Sequence, residues 1–386
     1  MKKILYILTT EPFPNGLAAT NRLLSYIELI VRKGIIVKVW VLSPIMNSND
    51  LGNYKSKGTY NGIDYEYLHG YTTWPDNVNK IYKIKSYIKS LRLLKNILKT
   101  NRPNSVLLIT NVLIYLFYIQ VLCKKLHLNV FQEKTEYPHY INKNNLKLKI
   151  CFSNYLYRRY SGMLVITYEL AKFFKKLGQN NIFILPMTVN ADHYKVLLNE
   201  TTEKKYIAYC GGGNYQRDGV LDTIVAYNKS SINKELDLMI IGPENEKSEY
   251  YNKLRSIANN SQNNIIFTGR MKSQDVPQLL KNADCLILTP NKDFESGGFP
   301  TKLGEYLATG NPVICTAVSE IPRYLNDSNS LIVEPGNIMM ISEKMNYLIE
   351  KPKLCKEIGE KGKLLAESVF NPKKYINDLM IFLGTI

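Results

Sequence analysis

The sequence has no metal-ligand spacing of cysteines or histidines. Its six cysteines stand singly, without a Cys-x-x-Cys pair, and its four histidines are not paired. The usual zinc spacings are therefore excluded, and no disulfide framework is indicated. We expect six reduced thiols buried in the core.

Long hydrophobic runs are also missing. The most apolar stretch, 106–123, is interrupted by Thr110, Asn111 and Gln120, whereas a membrane span needs about 20 nearly uninterrupted apolar residues. We predict a buried strand that ends near Thr110 and then a buried helix. The N-terminal apolar run Ile4–Leu8 is too short for a signal peptide and predicts a first strand. These patterns favour a soluble, cytoplasmic protein.

Positive charge is distributed unevenly along the chain. Residues 1–200 hold 28 Lys or Arg against 11 Asp or Glu, and residues 201–386 hold 22 of each, so the net charge of +17 lies in the first half. One interpretation is compositional drift. The other is a basic face that meets an anionic membrane surface or a phosphate-bearing lipid.

A basic segment, 78–100, has apolar residues at helical spacing and lysines between them. It predicts either a helix that lies on a sheet with a solvated outer face or a helix that rests on anionic lipid. The residues at helical spacing are Ile81, Ile84, Ile88 and Leu91.

Short apolar runs alternate with longer amphipathic segments in both halves of the chain, as in α/β domains with parallel sheets. We predict two doubly wound, Rossmann-like domains, 1–188 and 189–369, that face each other across a cleft. The predicted strands are Lys3–Leu8, Val37–Leu42, Tyr65–Leu68, Val106–Ile109, Asn129–Gln132, Met163–Ile166, Tyr206–Cys210, Leu238–Ile241, Ile265–Thr268, Cys285–Thr289, Val313–Cys315 and Leu331–Val333.

The most informative segment is 293–314, DFESGGFPTKLGEYLATGNPVI. A strand leads into a glycine loop, and the loop leads into a helix predicted over 301–308. Free N–H groups and the helix dipole at such a junction favour an anion such as a diphosphate. Glu305 lies three residues after Lys302, so both face the same side of the helix. Its carboxylate can accept two hydrogen bonds from a ribose diol.

This segment resembles the donor-site motif of the family-4 GT-B glycosyltransferases, also known as glycosyl transferases group 1. The resemblance continues in IAYCGGGNYQRDGV at 207–220, in IFTGRM at 266–271 and in ADCLILTP at 283–290. Residues 370–386 resemble the family's terminal helix, which crosses back onto the N-terminal domain. The resemblance implies a GT-B fold and a retaining, metal-independent transfer of a sugar from a nucleotide-diphosphate donor, most simply a UDP- or GDP-sugar.

The resemblance also implies roles for particular residues. Glu305 would bind the ribose, Glu295 the sugar hydroxyls, and Arg217 with Lys302 the diphosphate. The family's usual spacing between its two glutamates would place the first at Gly297 of this sequence. Glu295 is the carboxylate nearest to that position. The remaining donor-side candidates are Gly211, Gly212, Gly213, Ser296, Gly297, Gly298, Phe299, Pro300, Thr301, Arg270 and Met271.

Two segments of the first half supply candidates for the acceptor side. PFPNGLAATNR at 12–22 follows the first strand and contains Asn15, Gly16 and Arg22. EKTEYPH at 133–139 follows another strand, and Glu136 and His139 are alternatives there. The acceptor would be a glycan or a lipid-linked sugar in bacterial capsule, O-antigen or exopolysaccharide assembly, with the protein peripheral at the inner face of the cell membrane.

Other chemistries lack their motifs. There is no Asp-x-Asp triad for a metal-bound diphosphate, no G-x-x-x-x-G-K-[ST] loop and no hydrolase-type carboxylate pair. A GT-B-shaped sugar-nucleotide 2-epimerase is an alternative. Such an enzyme would convert its sugar nucleotide without any acceptor, so a product assay without acceptor distinguishes it from a glycosyltransferase. A nucleic-acid-binding protein, a different class, is suggested by the net charge alone, and no recognisable binding module supports it.

Overall fold

The computed structural model describes residues 3–45, 52–138, 147–197, 205–261, 264–292 and 297–386, without the side chains of 147–150. The chain forms two compact units. The first contains Met1–Pro186, Ser296–Gly298 and Pro372–Ile386, and the second contains Met187–Glu295 and Phe299–Asn371.

The first unit is built on an eight-stranded sheet in the order β3-β4-β2-β1-β5-β6-β7-β8. Neighbouring strands are parallel except for β3 and β4. The strand order reverses between β1 and β5, and ligands of doubly wound sheets bind at such a switch point, beyond the carboxyl ends of the strands. The strands are β1 (Ile4–Thr9), β2 (Ile36–Val41), β3 (Lys57–Tyr60), β4 (Ile63–Tyr67), β5 (Ser105–Ile109), β6 (Asn129–Lys134), β7 (Gly162–Val165) and β8 (Ile182–Ile184).

The second unit holds a six-stranded parallel sheet in the order β11-β10-β9-β12-β13-β14. Its switch point lies between β9 and β12. The strands are β9 (Tyr206–Cys210), β10 (Asp237–Ile241), β11 (Ile265–Gly269), β12 (Cys285–Leu288), β13 (Val313–Thr316) and β14 (Leu331–Val333).

Several helices begin at a side chain that caps a free backbone N–H. Thr167 and Ser248, for example, accept from the N–H three residues on. The helices are α1 (Ala18–Arg32), α2 (Lys80–Asn101), α3 (Leu113–Lys125), α4 (Lys147–Tyr157), α5 (Tyr168–Lys176), α6 (Ala191–Lys195), α7 (Val220–Lys229), α8 (Glu249–Asn259), α9 (Val276–Asn282), α10 (Lys302–Thr309), α11 (Ile321–Tyr324), α12 (Ile338–Glu350), α13 (Pro352–Ser368) and α14 (Ile376–Phe382).

The end of the chain belongs to the core of the first unit. Leu379, Met380 and Leu383 are buried among residues of α1, β1 and β2. The ring of Phe382 lies 4.9 Å from that of Phe131 and 5.4 Å from that of Phe183, centroid to centroid. The expected return of the terminal helix to the N-terminal domain is therefore confirmed.

Two predictions about burial are wrong. The helix that follows β5 is not buried all round, because Ile114, Phe117 and Val121 are exposed on one side of α3. Of the six cysteines, all of which the structure describes, Cys151 is exposed on α4 and Cys210 is only partly buried. The exposure of Ile114, Phe117, Val121 and Cys151 arises because α3 and α4 carry apolar residues on their outer sides, whereas Cys210 is the last residue of β9. None of the described helices is both long enough and apolar enough to cross a membrane.

Candidate functional site

A tight glycine turn, Gly211–Gly213, follows β9 at the switch point of the second sheet. The Gly211 N–H donates to the Ile241 carbonyl over 2.8 Å. A Cβ on Gly211 would lie 1.8 Å from the Tyr209 hydroxyl, and Gly213 has a φ of +98°. Glycine is therefore required at both positions, and Gly212 between them is exposed. The glycines therefore let the backbone of the turn pack closely against Tyr209 and Pro243.

Helix α10 is hydrogen-bonded to the end of β9. The Tyr306 hydroxyl accepts from the Cys210 N–H over 2.7 Å and donates to the Cys210 carbonyl over 3.1 Å. A Cβ on Gly304 would lie 2.1 Å from Met187 Sδ, so the helix also packs closely on the segment that precedes α6. These contacts hold the start of α10 beside the glycine turn.

A charged network joins α10 to the segment after the turn. Lys302 forms an ion pair with Asp218 and lies 5.3 Å from the centroid of the Tyr209 ring. The Tyr209 hydroxyl donates to the same Asp218 oxygen over 2.5 Å. Burial raises the pKa of Tyr209 well above its usual value, and the negative charge of Asp218 raises it further. Tyr209 is therefore a neutral donor to Asp218.

The Glu305 carboxylate contributes to the electrostatics of the same region. Burial raises the pKa of Cys210 to about 12, with Glu305 raising it and Lys302 lowering it. Burial also raises the pKa of Tyr194, and Glu305 adds to that effect. The structure thus brings Glu305, Lys302 and the end of β9 together.

Of the other cations, Arg217 follows the glycine turn and Arg270 follows β11. Arg217 is half-buried, and its backbone N–H donates to Asn214 Oδ1 over 3.4 Å. It precedes Asp218 directly, so its backbone adjoins the Lys302 ion pair. Arg270 is exposed and Met271 partly buried, just after β11 ends at Gly269.

The loop before α10 is described from Gly297 onwards, and Glu295 and Ser296 lie outside the described residues. Gly297 has a φ of +68°, and its carbonyl accepts from the Thr167 hydroxyl over 2.5 Å. Gly298 and Phe299 are buried, and Pro300 accepts from the Leu303 N–H. Thr301 is the N-cap of α10, and its side chain makes no capping hydrogen bond.

The acceptor-side candidates belong to the first unit. Asn15 is held by two hydrogen bonds between its backbone and the Asn53 side chain, of 3.0 and 2.6 Å. A Cβ on Gly16 would lie 2.0 Å from Thr20 Oγ1. Glu136 is partly buried, and His139 lies outside the described residues.

Arg22 is 3% exposed and directs its guanidinium into the protein. It forms an ion pair of 3.1 Å with Glu133 and donates to the backbone carbonyls of Leu185 and Pro186. Tyr26 donates to the second Glu133 oxygen over 2.7 Å. Arg22 therefore ties α1 to β6 and to the end of β8.

Residues 192–365 match the family model described as "Glycosyl transferases group 1". This segment is a group 1 glycosyltransferase domain. No curated protein matches the chain.

Three solved structures show how widely the fold is shared. Sucrose-phosphate synthase from Thermosynechococcus elongatus is 11% identical, with a TM-score of 0.78 over 98% of this chain and 97% of that one. Anabaena Alr3699/HepE in complex with UDP and glucose is 12% identical, with a TM-score of 0.72 over all of both chains. TarM is 11% identical, with a TM-score of 0.72 over 100% of this chain and 99% of that one. The fold of the chain is therefore GT-B, as the resemblance implied.

Sequence reasoning did not identify three polar residues of the group 1 domain, namely Tyr209, Asp218 and Tyr306. Asp218 follows Arg217 directly and Tyr306 follows Glu305, so both stood beside residues that the motifs did assign. No sequence signal showed that Tyr209 faces Asp218. Among the described residues, no group of three His, Cys, Asp or Glu side chains could hold a metal ion.

Proposed function

We propose that the chain is a glycosyltransferase that moves a sugar from a nucleotide-diphosphate donor to an acceptor hydroxyl. The observation that carries this proposal is the attachment of α10 to β9. Through Tyr306 and the Lys302–Asp218 pair, the helix bearing Glu305 is fixed beside the Gly211–Gly213 turn, at the switch point of a parallel sheet. The structures of Anabaena Alr3699/HepE in complex with UDP and with UDP-glucose support a UDP-sugar as the first donor to test.

The diphosphate would lie between the glycine turn and the start of α10. Backbone N–H groups at both places and the α10 dipole favour negative charge there. Lys302 and Arg217 would balance the charge of the diphosphate, and Glu305 would accept hydrogen bonds from the ribose. Arg270 and Met271, at the end of β11, would flank the base.

We further propose a family-4 enzyme that retains the anomeric configuration without a metal or another cofactor. The bond from the anomeric carbon to the diphosphate oxygen breaks, and the acceptor oxygen bonds to the same face of the sugar. The acceptor proton passes to the departing diphosphate. Because negative charge grows on that leaving group, fixed cations and N–H dipoles supply most of the rate enhancement.

The first unit would hold the acceptor. Polar groups gather at its own switch point, where Thr10 donates to Thr110 over 3.1 Å and buried Lys134 donates to the Thr110 carbonyl over 3.0 Å. We propose a glycan or lipid-linked sugar as the acceptor, in bacterial cell-surface polysaccharide assembly at the cytoplasmic face of the membrane.

The donor is tested first by thermal shift against UDP-, GDP-, dTDP- and ADP-sugars, with the free sugars as controls. One nucleotide series should raise the melting temperature, because a ligand that binds the folded state alone stabilises it. No shift with any series at millimolar concentration would contradict the proposed donor site. Turnover of the donor without any acceptor would indicate an epimerase or hydrolase instead.

Catalytic roles are tested with Glu305→Ala and Arg217→Ala. Each should lower transfer at least about 100-fold, as expected for the loss of one charge-stabilising group. Glu357→Ala, which removes an exposed carboxylate from α13 of the same unit, is the matched control and should transfer normally. Near-normal turnover in a folded Glu305 or Arg217 variant would rule out that residue's role.

A further inference from the structure

Helix α2 presents its isoleucines to solvent. Ile81, Ile84 and Ile88 are 64%, 58% and 46% exposed. The helix is anchored instead by Leu94 and Leu98 in its second half, which are fully buried. The isoleucines at helical spacing therefore lie on the outer side of α2. Exposed apolar side chains in a continuous group mark a surface that meets something apolar.

Helices α3 and α4 carry further exposed apolar residues, and α3 is hydrogen-bonded to α2. The exposed residues of α3, Ile114, Phe117 and Val121, recur at intervals of three and four, so they form one stripe. The Phe117 ring lies 5.6 Å from that of Phe152 on α4, centroid to centroid. Tyr118 of α3 donates to the Leu91 carbonyl of α2 over 3.1 Å. We call the outward residues of these three helices the α2–α4 face: Ile81, Ile84, Ile88, Ile114, Phe117, Val121, Phe152 and Tyr155.

Positive charge surrounds the α2–α4 face, and negative charge is missing from its helices. Between Asp76 and Glu133 the sequence holds ten Lys or Arg and no Asp or Glu, and residues 137–168 hold no acidic residue either. On α2, Lys85 and Arg92 lie four residues after Ile81 and Ile88, on the same side of the helix. The charged side chains of these helices are therefore all positive, so their combined field attracts negative charge.

The basic residues continue around the ends of α3 and α4. A depression of about 400 Å³ is lined by Gln120, Lys124, Leu128, Val130, Arg159 and Ser161. Lys124 lies in the last turn of α3, and Arg159 follows α4, with its guanidinium 4.2 Å from the centroid of the Tyr155 ring. Two cations beside a recess of this size suit phosphate-bearing headgroups.

We propose that the α2–α4 face docks on an anionic lipid bilayer, with its apolar stripes among the acyl chains and its lysines and arginines at the headgroups. A bilayer accommodates both features at once. A second copy of the chain would bring two like-charged faces together, and a nucleic acid would leave the isoleucines in water. This surface is distinct from the proposed donor site, so the two can fail independently.

The first test is partition onto sedimenting vesicles of 30% phosphatidylglycerol in phosphatidylcholine at low salt. The wild type should bind these vesicles at least tenfold more tightly than pure phosphatidylcholine. Ile84→Ser/Ile88→Ser/Phe117→Ser should lose at least tenfold in binding. Met339→Ser/Leu364→Ser is the control, because these residues are 58% and 63% exposed on helices of the second unit, and it should bind within twofold of the wild type.

The second test uses Cys151, the exposed cysteine of α4, which lies one helical turn before Tyr155. An environment-sensitive fluorophore on this thiol should shift to shorter wavelength with anionic vesicles. A shift shows entry into an apolar layer, which adsorption by charge alone would not produce.

The results of these two tests either support or overturn the proposal that the α2–α4 face docks on an anionic bilayer. It is overturned if the stripe variant and the control bind equally, or if the wild type does not bind anionic vesicles at low salt. It is also overturned if the face instead mediates a dimer that the stripe variant abolishes, with no vesicle binding by either protein. Unchanged melting temperatures and unchanged donor-induced thermal shifts in both variants show that folding and the donor site are intact.

Discussion

Lys302 shows how a single side chain in the group 1 domain is held in place. Its charge is paired with Asp218, and Tyr209 donates to the same carboxylate. The Lys302 and Asp218 side chains are 21% and 11% exposed, so the pair is largely shielded from water. Removing one partner leaves the other charge without compensation, whereas removing both does not.

We therefore expect a double-mutant cycle with Asp218→Asn and Lys302→Met to show coupling. The free energy of unfolding should reveal an interaction of about 1–3 kcal/mol between the two positions. Denaturant unfolding followed by far-UV circular dichroism provides the measurement. Additive effects of the two changes would contradict the pairing. The comparison is Lys344→Met, which breaks the ion pair with the more exposed Asp327.

His69 should make the stability of the first unit depend on pH. Burial lowers its pKa from 6.5 to about 4, an effect partly opposed by a hydrogen bond with the Leu42 backbone. As the pH falls from 6.5 towards 4, the unfolded chain takes up this proton and the folded chain does not. The contribution of His69 to the free energy of unfolding therefore falls between pH 6.5 and about pH 4, and it stays constant at lower pH.

His69→Phe should reduce this loss by about 1 kcal/mol at pH 5, allowing for partial solvation of the ring. Trp74 lies 5.3 Å from His69, ring centroid to ring centroid, so tryptophan fluorescence can follow unfolding at pH 7 and pH 5. The control is His127→Asn, at a histidine of the same unit with a left-handed backbone (φ 55°) that asparagine tolerates. Equal pH dependence of the wild type and His69→Phe would contradict the prediction.

At the scale of elements, the sequence predicted twelve of the fourteen strands found among the described residues but missed β3 and β8. Strand β3 is Lys-Gly-Thr-Tyr at the edge of its sheet, largely exposed and with no apolar alternation. Strand β8 has three residues. Periodicity also located α2 without showing which way its isoleucines face, because a stripe defines a side of a helix and not its neighbour.

Glycine at the start of α7 permits a close approach at the second switch point. Gly219 has a φ of +70°, and an added Cβ would lie 1.7 Å from the Thr289 carbonyl oxygen. Thr223 and Thr289 are hydrogen-bonded over 2.8 Å at the same place. The end of β12 and the start of α7 are therefore in direct contact.

Gly219→Ala should destabilise the second unit more than Gly336→Ala does. Gly336 has a similar φ of +78°, but an added Cβ would meet nothing within 4 Å. Both changes carry the left-handed backbone cost of about 1–2 kcal/mol. Gly219→Ala adds a backbone clash of about 1–3 kcal/mol. Hydrogen exchange of the second unit measures both, and equal losses would show that the contact is not tight.

At the scale of the whole molecule, the last residues of the chain complete the unit that its first residues begin. The final helix contributes Leu379 and Leu383 to the core formed with α1, β1 and β2. The sequence anticipated this return through a family resemblance, because no local pattern shows where a terminal helix packs. Both tryptophans, Trp40 and Trp74, belong to the first unit, so their fluorescence reports on that unit alone.

Two substitutions in α14, two residues apart and on opposite sides of the helix, test this arrangement. Leu379 is fully buried, whereas Ile381 is 64% exposed. Leu379→Ala should lower the free energy of unfolding seen by tryptophan fluorescence by about 2–5 kcal/mol, because it leaves a cavity in the core. Ile381→Ala should change it by about 0.5 kcal/mol or less. If Leu379→Ala left the fluorescence transition unchanged, the terminal helix would not stabilise the first unit, and its packing there would be incidental to folding.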